Sequence, residues 1–116
     1  MAFDYLRIAE ITQLGNSAGT LYANPSSKKT YLRLIVLHNT NTTSETVRLY
    51  IVPDSSGSEG TAGDANKFYQ GIIAPNDTVV LEFPAVGLML VDVNDTIQGY
   101  STTASKVSVQ IYGGQE

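Results

Sequence analysis

The 116-residue chain has no cysteine, no tryptophan, one histidine and only 16% charged residues. Without cysteine there is no disulfide and no thiolate metal site, and redox compartment cannot be read from cysteine usage. With His38 as the only imidazole, a triad or a histidine zinc site has a single residue to build on, and no motif surrounds it. Charge is also sparse compared with the roughly 25% usual in soluble domains. The formal charge is −4, and Lys28, Lys29, Arg33, Arg48 and Lys67 form no long basic run. Nucleic acid binding needs clustered cations, so nucleic acid is not an expected partner. No apolar run approaches the roughly 20 residues of a membrane span, and Met1-Ala2-Phe3-Asp4 does not open like a secretion signal. The expectation is a soluble chain made in the cytoplasm, without a membrane partner.

What the chain does have is short β-branched and aromatic runs closed by Asn, Asp, Ser, Gly and Pro. Residues 31–37, 46–52, 67–73, 78–83 and 106–112 read as strands, and residues 20–23 as a shorter one closed by Asn24-Pro25. Residues 5–11 fit either a strand or a helical turn, and residues 86–91 a short apolar strand or turn segment. Gly71 is a candidate bulge. In the last strand, Val107, Val109 and Ile111 alternate cleanly with Lys106, Ser108 and Gln110. In residues 31–37 the expected core side is Leu32, Leu34 and Val36. That phase leaves Tyr31, Arg33, Ile35 and Leu37 on the other face, where Ile35 and Leu37 suit contact with another subunit better than water. Residues 54–64 are small and polar and are expected to project as an exposed loop. The fold class is all-β, a single antiparallel β-sandwich over residues 1–116 with about 7–8 strands, jelly-roll or Ig-like, a barrel being the alternative. Residues 1–4 form an N-terminal arm expected to be flexible.

Each chemistry-bearing residue has a plain structural reading beside it. His38 ends a strand, where its ring nitrogens would bond neighbouring backbone. Asp54, Glu59 and Asp64 lack the alternate spacing and closing Glu of a calcium loop, and turn chemistry accounts for them. Asp92 and Asp95 flank a tight turn and read as hairpin residues rather than an acid/base pair. Asn41-Thr42-Thr43, Asn76-Asp77-Thr78 and Asn94-Asp95-Thr96 match the glycan acceptor pattern but read as turns. Gly57, Gly60 and Gly63 have no following Lys-Ser/Thr, so a phosphate cradle is unsupported. No catalytic residue, metal or cofactor is expected. The tyrosines, Tyr5, Tyr22, Tyr31, Tyr50, Tyr69, Tyr100 and Tyr112, suit interfaces, where the ring is buried and the hydroxyl finds a partner.

In order and spacing, several segments resemble a recurring small virion protein of tailed bacteriophages. They are Leu21-Tyr22, Pro25, Leu37-His38-Asn39-Thr40, Val47-Arg48-Leu49-Tyr50-Ile51-Val52-Pro53, Thr61-Ala62-Gly63-Asp64-Ala65-Asn66, Pro75-Asn76-Asp77-Thr78, Asn94-Asp95-Thr96-Ile97-Gln98-Gly99, Val107-Ser108-Val109 and Gly113. The resemblance covers nearly the whole chain. It implies a β-sandwich structural component of the particle, a head decoration (cement) protein, with tail or neck accessories as the related alternative. It supplies no catalytic residues.

The leading expectation is therefore a non-enzymatic protein on the virion head exterior, binding the major capsid protein or other virion proteins. It would cap lattice joints as a homo-oligomer, with a trimer expected. Interfaces of that kind bury roughly 1,200–2,000 Å² in total. Candidate interface residues are Tyr22, Tyr31, Arg33, Ile35, Asp54, Glu59, Asp64 and Tyr69. The loops at residues 54–66 and 22–29 and the arm at residues 1–4 present most of that surface. The alternative is a host-surface carbohydrate- or receptor-binding module that uses tyrosines in a groove with Asn and Asp as hydroxyl partners.

Overall fold

Among the described residues, ten strands fill eight positions in two antiparallel sheets, because both edges of one sheet are interrupted. The strands are β1 (Asp4–Arg7), β2 (Thr12–Gln13), β3 (Gly19–Ala23), β4 (Thr30–Asn39) and β5 (Glu45–Val52), then β6 (Lys67–Ile73), β7 (Thr78–Glu82), β8 (Leu88–Leu90), β9 (Thr96–Ser101) and β10 (Val107–Gln115). The computed structural model describes residues 4–84 and 87–116, with side chains from residue 6 onward. Residues 1–3 of the expected arm, and Val86 of the expected segment 86–91, lie outside the described residues.

The first sheet runs β1/β2, β10, β4, β7/β8 and the second β3, β9, β5, β6. β1 and β2 lie end to end along β10, and β7 and β8 lie end to end along β4. Ladder bonds continue past the first break, Ile8 N donating to Ile111 O and Leu14 N to Val107 O, both at 2.8 Å. Numbered by position, the chain winds as two interleaved four-stranded layers in jelly-roll order, not in the Ig order. The expected sandwich of about eight strands is what forms. Residues 5–11 resolve to strand up to Arg7, and a single turn of 3₁₀ helix (Asp64–Asn66) precedes β6.

The core lies between the layers. Leu32, Ile35, Leu37, Val47, Leu49, Ile97 and Val107 are each 0% exposed. Val107, Val109 and Ile111 of β10 point inward as their alternation predicts. β4 departs from its expected phase. Opposite β10, Ile35 pairs with Ile111 and Leu34 with Tyr112, but Gly113 pairs with Leu32, so Arg33 has no opposite residue. This β-bulge reverses side-chain parity halfway along the strand. Thr30 and Leu32 face inward before it, and Ile35, Leu37 and Asn39 face inward after it. Leu34 and Val36 are therefore not core residues but half-buried ones on the outward side, and Ile35 is withdrawn from any interface. Gly113 makes the close approach feasible, since a Cβ there would run into the Tyr31 carbonyl.

Two more bulges shape the second sheet. Leu21 is the extra residue between β3 and β9, and Phe68 between β6 and β5. Gly71 is not a bulge: it pairs in register with Val47, and the Tyr69 ring lies over the space a side chain would take. Phe68 and Phe83 then meet edge-to-face at 6.1 Å, joining the layers along one flank.

Buried polar side chains tie the strand ends. The Asn39 amide donates to Thr43 O and Ile73 O at 2.9 Å each, while its carbonyl accepts from Asn41 N at 2.8 Å. Glu45, 2% exposed, accepts from Thr103 N at 2.8 Å and from Asn41 Nδ2 at 2.9 Å. At the other end the Asn24 amide donates to Lys28 O at 2.8 Å and Asp92 O at 3.1 Å, and its carbonyl accepts from Thr30 Oγ1 at 2.6 Å. Asp95 accepts from the backbone N–H groups of Asp54, Val91 and Asp92. Asp92 and Asp95 are thus turn residues.

Burial alone would raise the Glu45 carboxyl, but the bonds from Thr103 and Asn41 and the charge of Lys106 outweigh it and hold the group below the usual carboxylate range. A depressed carboxyl stabilises the fold above its unfolded pKa of about 4.3, and that stabilisation is lost as pH falls through the lower folded value. Glu45→Ala leaves the Thr103 N–H without its acceptor and is expected to cost about 1–3 kcal/mol at pH 7. Urea unfolding from pH 7 to 3 is expected to show a narrowing gap between wild type and variant.

Candidate functional site

The two outward faces of the sandwich differ in kind. The outer face of the second sheet is partly roofed by the chain's own residues 54–66, which turn back over it instead of projecting. Tyr50 and Val52 lie on that outward side, yet they are 5% and 2% exposed. Gln98, the partner of Tyr50 in β9, donates from Nε2 to Gly60 O at 3.1 Å. Asn94 Nδ2 donates to Gly57 O at 3.0 Å, and Thr20 Oγ1 to Glu59 Oε1 at 2.6 Å. The strap therefore crosses from β5 over β9 to β3. Its tip is a tight hairpin in which Ser55 and Ser58 exchange backbone bonds and Ser56 and Gly57 both have positive φ. Asp54 caps it through its carboxylate on Gly57 N at 3.1 Å. The expectation of a projecting loop fails for a physical reason. Small polar residues with free carbonyls find donors in the Gln98 and Asn94 amides, and the apolar surface covered belongs to the sheet, not to the loop.

Tyr50 sits beneath this strap, stacked on Tyr100 with ring centroids 6.3 Å apart. Burial raises its hydroxyl pKa most, a hydrogen bond and charge from Tyr100 add to this, and Arg48 opposes it. The Arg48 guanidinium lies 5.2 Å from the centre of the Tyr100 ring.

Among the described residues, the outer face of the first sheet has no such roof. Its register lays out three rows across β10, β4 and β7: Tyr112–Leu34–Glu82, Gln110–Val36–Val80 and Ser108–His38–Thr78. Glu82 carries the only carboxylate among these nine side chains. Val80 is 51% exposed, and Met89, paired with Tyr31 at the end of β4, is 41% exposed. Two side-chain bonds stiffen the face, His38 Nδ1 to Thr78 Oγ1 at 2.8 Å and Tyr112 hydroxyl to Gln110 Oε1 at 2.6 Å. His38 thus meets a cross-strand hydroxyl, not the neighbouring backbone its position suggests.

The eight candidate interface residues do not share one surface. Tyr22 and Tyr69 pack against the core, the Tyr22 hydroxyl accepting from Gln115 Nε2. Ile35 is inside it. Asp54, Glu59 and Asp64 belong to the strap, Asp64 pairing with Lys67 at 3.8 Å on the surface. Tyr31 and Arg33 remain at the first sheet, where burial and the neighbouring Glu116 carboxylate raise the Tyr31 hydroxyl pKa. Leu34 and Val36 were assigned to the core because the bulge inverts the phase on which the sequence argument relied, and Val80 was missed because the faces of residues 78–83 were not assigned. Among the described residues, no three His, Asp or Glu side chains converge as metal ligands would.

No family model matches this chain, and no curated protein matches it.

Gly60 lies so close to the sheet that a Cβ there would stand 2.8 Å from Pro53 O and 2.9 Å from Val52 Cγ1. Gly60→Val should lift the strap and lower stability by about 1–3 kcal/mol. Alkaline absorbance titration is expected to show Tyr50 ionising closer to the ordinary value of about 10. Unchanged tyrosine titration would show that the strap does not shield it.

Proposed function

We propose that this chain is a structural component of a tailed-phage virion, a head decoration protein that binds the outside of the capsid lattice through the bare face of its first sheet. The observation that carries the reading is the register-aligned set Leu34, Val36 and Val80, a flat, nearly uncharged surface that the chain leaves uncovered while it roofs the opposite sheet. Core regions of protein interfaces are depleted in charge and rich in apolar and aromatic side chains. A rigid two-layer body adds such a surface at little ordering cost, because the β-ladder already holds the side chains in place. The order of strand ends and turns shared with small phage virion proteins supports the same reading. Jelly rolls serve capsids and lectins alike, so the fold is compatible with this role but does not single it out.

In this reading the chain stabilises by contact. It contributes no chemistry, takes no cofactor, and associates as a trimer around a local three-fold axis, its partner being the major capsid protein. The strap acids Asp54, Glu59 and Asp64 form the opposite, solvent-facing side.

The test is co-sedimentation with empty phage heads. Val36→Asp and Val80→Lys replace side chains outside the core and are expected to leave the melting temperature within a few degrees while weakening head binding at least about tenfold, because each buries an unpaired charge in the interface. Full binding by both variants would overturn the role of this face. Binding to tails and not to heads would move the protein to the tail or neck, and specific glycan binding without particle binding would favour the receptor-binding alternative.

A further inference from the structure

Two arginines of the first sheet open onto one shallow cleft. Arg7 of β1 and Arg33 at the β4 bulge line it with Leu6, Tyr112 and Gly113 around a largely open space of about 540 Å³. Among the described residues, no acidic one lines it. The partner Arg7 does have, Glu10, lies 4.0 Å away with its side chain 95% exposed, a weak pairing in water. The Arg33 Nε is sealed from solvent and has no acceptor among the described residues. A buried N–H without a partner is costly, and two arginines lining one cleft with only the exposed Glu10 as counter-charge are weakly compensated. The chain as a whole is acidic, which makes a local pair of weakly compensated cations more informative. The bulge is what brings Arg33 here, out of the alternation that Leu34 and Val36 follow.

We propose that this cleft binds the carboxylate of an acidic side chain on the partner protein, held between Arg7 and Arg33. Guanidinium groups are planar forks that match a carboxylate by paired hydrogen bonds, a geometry lysine does not offer. The walls favour a carboxylate on an apolar stem over a phosphate. Leu6 and the Tyr112 ring are apolar and can pack against the methylene stem of an acidic side chain, which a phosphate lacks. The cleft also continues into the bare face, because Tyr112 pairs directly with Leu34. The inference rests on the reading of that face as a contact surface and adds its polar anchor.

The probe is N-acetylglutamate N-methylamide, which carries one carboxylate, titrated at constant ionic strength into the ¹⁵N-labelled full chain, with inorganic phosphate as the second arm. The arginine Nε–H signals of Arg33 and Arg7 are expected to shift saturably with the carboxylate. Binding should weaken about tenfold in Arg33→Lys and in Arg7→Lys, which keep the charge but lose the fork. The backbone amide spectrum checks folding. If Arg33→Lys disturbs it, Arg7→Lys decides, since Arg7 is an exposed residue of an edge strand. Absence of a saturable shift, tighter binding of phosphate, or equal affinity in the folded lysine variants would each overturn the proposal. The titration uses the isolated protein, so its failure is separable from that of the head-binding reading. A chain that binds heads but not the probe loses only the cleft, and one that binds the probe but not heads keeps it.

Discussion

β4 is the strand through which both layers are organised, and its one unpaired residue sets the character of the molecule. β10 flanks it on one side and β7 with β8 on the other, so any change of phase in β4 propagates to the side-chain rows on both neighbours. The bulge at Arg33 turns Thr30 and Leu32 inward together with Ile35 and Leu37, which unbroken alternation could not do. It also fixes where the edge strand breaks. β7 pairs with β4 on one side of Arg33 and β8 on the other, and the carbonyl of Arg33 accepts from Phe83 N at 3.0 Å as the chain leaves the ladder. Pro84, which has no N–H to offer a ladder, follows immediately. Interrupted edges of this kind on both sides of the first sheet leave that sheet no long continuous strand for another chain to extend.

The corners are held by amides and carboxylates more than by apolar contacts. Asn39 and Glu45 lock one end of the sandwich, Asn24 and Asp95 the other, each meeting a backbone group of a segment distant in sequence. These groups are expensive to bury and become favourable only when every bond is made. They therefore specify one arrangement of turns. The same polar logic seats the strap, where the Gln98 and Asn94 side chains supply the donors that residues 57 and 60 lack among themselves.

The proposed function rests on the difference between the two faces. One is partly roofed by the chain itself and presents acids to solvent. The other is flat, stiff and low in charge, with two arginines gathered at its edge near β1. A surface of this composition suits contact with a protein, with the apolar rows supplying burial and the guanidinium pair supplying direction. Steric rigidity matters here as much as area, since side chains already ordered by the ladder lose little freedom on docking.

Much of the architecture was legible along the chain. β-Branched runs, turn residues and the clean alternation of β10 set an all-β sandwich of about eight strand positions, because local propensity and period act over a few neighbours. The positions of Val107, Val109 and Ile111 followed from that alternation alone. The choice of jelly-roll over Ig winding, the phase of β4 beyond Arg33 and the folding back of residues 54–66 did not. Each depends on a pairing between residues far apart in sequence: Gly113 passing close beside Tyr31, Gln98 meeting Gly60, two edge segments sharing one neighbour. Periodicity names the faces of a strand but not which face is buried once a bulge intervenes. Only the packing of the second layer against the first decided that Ile35 belongs to the core and Leu34, Val36 and Val80 to the outside.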